Sequence, residues 1–148
     1  MDTYEITEDT LALVPINENS VMVYEKETTF EYNGSCTEIM DNSCMYYGST
    51  YEGRRLGSKH ILGASYKLPI VIEESKSLIF FPTESPFLDS CIWLSLNNIE
   101  KIEKKSLKTI IYFSNKKKLL VPSSFRIIEN QVFRATRLES LLRKRRKC

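Results

Sequence analysis

The chain has 148 residues, 42% hydrophobic and 27% charged, a length and balance that suit one globular domain (1–148) with its own core. No apolar run approaches the length of a membrane span, and the acidic start MDTYEITEDT lacks the basic stretch and apolar core of a secretory signal, so a cytoplasmic protein is expected. The net charge of +2 conceals a segregation: residues 1–74 carry 5 Lys and Arg against 13 Asp and Glu, and residues 75–148 carry 16 against 6, an asymmetry that points to a surface for a polyanion.

TLALVPI (10–16) and SVMVYEK (20–26) are β-branched, apolar runs separated by NEN, and predict a hairpin. TTFEY (28–32) adds a third strand, and Asn33-Gly34 is a turn signal. The period then changes. Ser35 followed by Glu38 forms a capping-box pattern. Cys36, Ile39, Met40, Ser43, Cys44 and Tyr47 fall on one helical face, with Gly48 at the expected C-cap.

Four of the five glycines lie in GSTYEGRRLGSKHILG (48–63), together with Arg54, Arg55, Lys59 and the single histidine, His60. The segment reads either as a loop or as a short helix weakened by about 1 kcal/mol at each of Gly53 and Gly57. Glycine here serves tight packing of the chain or close approach of the backbone to a ligand. Because this is the dense basic cluster of the acidic half, the ligand reading is favoured. Tyr46, Tyr47 and Tyr51 stand beside it, either as core or as stacking groups for bases.

KLPIVIEE (67–74) and SLIFF (77–81) predict another hairpin, and PTESP (82–86) a turn-rich link. CIWLSL (91–96), IEKIEKK (99–105), LKTIIYF (107–113) and KKLLVP (117–122) predict a meander whose lysines alternate loosely with apolar residues, as on an exposed sheet face. After Pro122, Ser123 or Ser124 can cap a long helix. Its apolar stripe is Phe125, Ile128, Val132, Ala135, Leu138 and Leu142. Arg126, Arg134, Arg137, Lys144 and Arg145 gather opposite. Arginine's planar fork suits phosphates and narrow grooves. The tail RKRRKC (143–148) is a charge run of the disordered kind. The fold class expected is α+β: antiparallel sheet or sheets, a mid-chain helix, and a C-terminal amphipathic helix packed on the sheet.

Cys36, Cys44, Cys91 and Cys148 include no C-x-x-C pair, and one histidine cannot complete a zinc-finger pattern. On a shared helix Cys36 and Cys44 would lie about 12 Å apart along the axis, too far for a disulfide. Reduced, buried thiols are expected. The chain contains no P-loop, no dinucleotide fingerprint and no H-E-x-x-H. Neither a metal nor a cofactor is expected, and an enzyme, such as a small nuclease, finds no support beyond scattered acids and His60.

SCMYYGSTYEGRRLGSKH resembles the signature segment of the bacterial competence transcription factors, the ComK family, and KLPIVIE, FFPTESP, CIWLS and the ENQ of IIENQVFRATRL follow in matching order. With TLALVPI the resemblance covers nearly the whole chain. It implies a cytoplasmic, nucleoid-associated activator of DNA-uptake genes. Such factors bind paired A/T-rich boxes, largely through the minor groove, as homodimers that pair on a promoter, with RNA polymerase and a Clp protease adaptor as further partners. Arginine enters narrow A/T-rich minor grooves favourably. Arg54 and Arg55 are therefore the expected groove contacts, Lys59 and Lys67 the phosphate contacts, and Arg126, Arg134 and Arg137 a second tier. The chain ends soon after its basic helix where longer members continue, so the adaptor-binding segment is expected to be absent. The rival expectation is a protein-interaction regulator. It would pair with a full-length relative through the acidic half, without strong DNA binding of its own.

Overall fold

A computed structural model describes residues 3–146. Strands β1 (Thr10–Asn17), β2 (Ser20–Glu25) and β3 (Thr29–Asn33) form the expected pair of hairpins. Helix α1 (Cys36–Tyr46) follows, with the Ser35 hydroxyl accepting from the Glu38 N–H at 3.1 Å. Its C-cap is Tyr47, one residue before the Gly48 that the sequence pattern suggests, and Gly48 follows with a left-handed φ of +90°. The ambiguous glycine-rich segment is a helix, α2 (Tyr51–Leu62). Thr50 caps it by accepting from the Gly53 N–H at 2.9 Å. Gly63, at φ +68°, ends it by donating to the Lys59 carbonyl at 2.9 Å, a conformation a Cβ would strain.

β4 (Ile70–Glu73) and β5 (Leu78–Pro82) pair as a hairpin. The next segment departs from expectation. β6 (Trp93–Ser95) does not open a four-stranded meander. It lies between β1 and β5 and completes a six-stranded antiparallel sheet in the order β3-β2-β1-β6-β5-β4. A 3-10 turn at Leu96–Asn98 then carries the chain into a separate three-stranded meander, β7 (Ile99–Lys105), β8 (Lys108–Phe113) and β9 (Lys118–Val121). Asn98 fixes the switch. Its buried amide donates to the carbonyls of Glu8 at 3.0 Å and Thr10 at 3.2 Å and to the Ser95 hydroxyl at 3.0 Å.

The large sheet is buried on both faces, which is why its inner strands read as unbroken apolar runs. One face carries Leu13, Ile70, Ile72, Phe80 and Trp93 beneath Ile39, Met40 and Cys44 of α1. The other carries Leu11, Val71, Ile79, Phe81 and Leu94, packed against Ile111, Phe113 and Val121 of the small sheet and against α3 (Phe125–Arg146). β8 alternates as expected, burying Thr109, Ile111 and Phe113. Register places Lys101, Tyr112 and Lys118 in one row on the opposite face.

The buried row of α3 is Ile128, Gln131, Ala135 and Leu138, with Val132 and Leu142 at its margin and Phe125 half-buried. A glutamine thus occupies a place the apolar stripe does not predict. The helix also continues through Arg143–Arg146, so the first four residues of the terminal charge run are helical; Lys147 and Cys148 lie outside the described residues. Among the described residues no helix is long and apolar enough to cross a membrane.

Candidate nucleic-acid interface

α2 straddles the β4 edge of the large sheet. Tyr51 packs into the core on one face of that sheet, and Ile61 and Leu62 into the core on the other. Ser58, the buried residue of the helix, donates to the Pro69 carbonyl at 2.6 Å and fastens α2 to the entry of β4. Gly57 looks onto open space: a Cβ there would meet nothing within 4 Å.

The expected contact residues divide by position. Arg54 is half-buried on the inner side of α2, in a crevice shared with Val71, Glu74, Leu138 and Leu142, and its Nε is buried without a hydrogen-bond partner. Its charge reaches the Cys44 thiol and opposes the upward shift that burial produces there. Arg55 faces the other way and grips Glu52 through two bonds, Nε to Oε1 at 2.9 Å and Nη2 to Oε2 at 2.6 Å. That pairing holds the Glu52 carboxyl below its ordinary pKa and raises that of Arg55. Lys59 and His60 are exposed in the last turn of α2.

α3 reaches across to the end of α2. Arg137 donates to the Leu62 carbonyl at 3.5 Å, and Arg134 to the carbonyls of Tyr66 at 2.9 Å and Lys67 at 3.1 Å. Arg134 also donates to Oε1 of Gln131 at 2.8 Å. Gln131 in turn donates to the carbonyls of Lys67 at 2.9 Å and Pro82 at 2.7 Å. Desolvation lowers the pKa of Arg134, as expected for a guanidinium bonded into a loop. Lys67 holds a left-handed φ of +53° beneath these bonds, and its ammonium lies 5.9 Å from the Tyr66 ring centroid.

The structure thus gathers Lys59, Lys67, Arg134 and Arg137 at the junction of α2 and α3, with Arg126 further along the exposed face of α3. Arg126, Arg137 and Lys144 are separated by eleven and seven residues, which keeps them within about 20° on the helix. Sequence reasoning missed Gln131. The signal was a polar residue three places after Ile128 and four before Ala135, inside an otherwise apolar row.

A cleft of about 380 Å³ opens beside Arg55, between the first turns of α1 and α2 and the segments 65–68 and 85–91. Tyr51 meets Trp93 edge-on at 6.1 Å between ring centroids. Burial pushes the thiol of Cys36 up to about 12, those of Cys44 and Cys91 to about 11, and the Tyr51 hydroxyl to about 12. All three described cysteines are free, and among the described residues no cluster of three or more metal-binding side chains occurs.

A two-sheet α+β domain with a basic helix pair at one end is the class of molecule these features define. The family model described as ComK protein matches residues 1–147. The competence transcription factor of Bacillus subtilis (strain 168) is 31% identical over 144 residues, covering 95% of this chain and 75% of that protein. The chain therefore belongs to the ComK family. No solved structure matches it.

Proposed function

We propose that the chain is a homodimeric regulator of competence transcription that binds A/T-rich duplex DNA with the outer surfaces of α2 and α3. One observation carries the reading. Lys59, Arg126 and Arg137 are exposed on two helices that meet, and none of them forms a salt bridge among the described residues. Cations without an acidic partner are available to phosphates, and neutralising phosphates releases counterions. The open face of α2 at Gly57 allows backbone and sugar to approach closely. Arg55 stands at the rim, where its bond to Glu52 orients the fork. Arg54 and Arg134 support the surface from behind, Arg54 at the seam with β4 and Arg134 by pinning the segment that follows α2.

The name of the Bacillus subtilis relative supports a role in transcription. The test is fluorescence anisotropy on two duplexes of equal A/T content, one with intact A-tract/T-tract boxes and one shuffled, over a range of salt. The expected result is tighter binding to the intact boxes with a steep salt slope, and a slope lower by about one unit in Lys59→Ala. Equal, weak binding to both duplexes would overturn the reading and favour a regulator that acts through a protein partner.

A further inference from the structure

The cleft beside α2 is unused by the DNA-binding reading, and its surroundings are unusual. Its floor is apolar, with Trp93 2% and Cys91 3% exposed. At its mouth stand three large apolar side chains in the open: Phe87 is 97% exposed, Tyr66 72% and Leu88 51%. The segment bearing Phe87 is an ordered series of turns. Leu88 N–H donates to the Ser85 carbonyl at 3.0 Å, Cys91 N–H to the Leu88 carbonyl at 3.1 Å, and Ser90 to the Glu84 carboxylate at 3.1 Å. These bonds order the backbone that carries Phe87 at the mouth of the cleft. The exposed ring lies outside the apolar hollow of its own chain and matches the hollow of an identical chain.

The charges select the same occupant. Arg55 and Lys67 line the cleft together with Glu18, Glu52 and Asp89. Three carboxylates oppose a polyanion at this surface. Arg55 is already paired with Glu52, so Lys67 of one chain and Glu18 and Asp89 of the other are the charges that a two-fold axis can set opposite each other.

We propose that this cleft is the self-association site of the protein: Phe87 of each copy inserts against Trp93 and Tyr51 of a second copy, and the exchange is reciprocal about a two-fold axis. The proposal rests on the homodimeric part of the proposed function and shares only Arg55, at the rim, with its DNA surface. It brings the first turns of the two α2 helices towards the axis and leaves their Lys59 ends outward.

The test uses the whole chain without DNA. Sedimentation velocity across a dilution series gives the mass, and emission from Trp93, the single tryptophan, reports the cleft. Wild type is expected to pass from monomer to dimer as concentration rises, with Trp93 emission moving in parallel. Phe87→Asp should weaken dimerisation at least about tenfold and hold the emission at its dilute value. Because Phe87 is almost wholly exposed, the variant's far-UV spectrum should not change, nor should its denaturation midpoint at concentrations where both proteins are monomeric. Phe87→Leu, which keeps an apolar projection, should dimerise more tightly than Phe87→Asp. Unchanged dimerisation in Phe87→Asp would overturn the proposal while leaving the homodimeric reading intact. A wild type that stays monomeric at every concentration would remove both.

Discussion

Cys36, Cys44 and Cys91 behave as small apolar side chains, and their chemistry follows from that. Burial raises all three thiols above the ordinary value of 9.0, Cys36 to about 12 and the other two to about 11. A thiol held neutral in the fold contributes stability that is complete below its unfolded pKa and is lost as pH rises through its folded pKa. Stability should therefore be level to about pH 8 and decline from about pH 9 towards pH 12. Urea midpoints measured over that range check the sign. Cys44→Ala should flatten part of the decline, and a midpoint that rises above pH 9 would contradict the assignment. Iodoacetamide at about pH 8 should label the native chain slowly and the urea-unfolded chain quickly, because the thiolate is the reacting form. The same burial argument separates Arg54 from Arg55. Neighbours in sequence, they stand about 100° apart on α2, one towards the sheet seam and one towards the cleft.

At the scale of elements, the junction of α2 and α3 depends on one amide. Gln131 donates to the carbonyls of Lys67 and Pro82 and accepts from Arg134, so it ties α3 both to the segment after α2 and to the end of β5. Gln131→Leu keeps the volume but leaves buried acceptors unpaired, and should cost about 1–3 kcal/mol. Chemical denaturation measures that loss. If the pinned segment also positions the basic surface, DNA affinity should fall even where the variant is fully folded. Much of this layer was legible in the sequence. The 3.6-residue period and caps of α1 and α3 located both helices, and the first two hairpins followed from their turns. α2 was ambiguous because Gly53 and Gly57 weaken its pattern, although its caps, Thr50 and Gly63, were both present. The place of β6 was not legible. It is three residues long, apolar on both faces, and pairs through Leu94 and Trp93 with Ala12 and Leu13, some eighty residues earlier. No local pattern records so distant a partner. The candidate basic residues were visible by type. Their division into half-buried and exposed side chains depended on which side of each helix meets the sheet.

Across the whole molecule, the acidic and basic halves of the chain do not form separate bodies. Leu11 and Ala12 of β1, Val71 of β4 and Leu94 of β6 share one buried cluster with Ile111 and Phe113 of the small sheet and Ile128 and Leu138 of α3. The small sheet has no second cover for its inner face, so it cannot persist once α3 and the large sheet part. Asn98 adds a polar tie between β1 and the chain switch. Unfolding should therefore be a single cooperative event. Trp93 makes this testable, since it sits in the cluster on the opposite face of the large sheet, away from α3. Leu138→Ala empties a fully buried position on α3 and should cost about 2–5 kcal/mol. If the molecule is one cooperative unit, the midpoint followed by Trp93 emission and that followed by helical ellipticity should fall together, by the same amount. An ellipticity midpoint that falls while the Trp93 midpoint stays in place would show instead that α3 and the small sheet detach from a surviving large sheet. The α3 part of the basic surface would then be able to unfold while the Phe87 cleft, lined by α2, stayed intact.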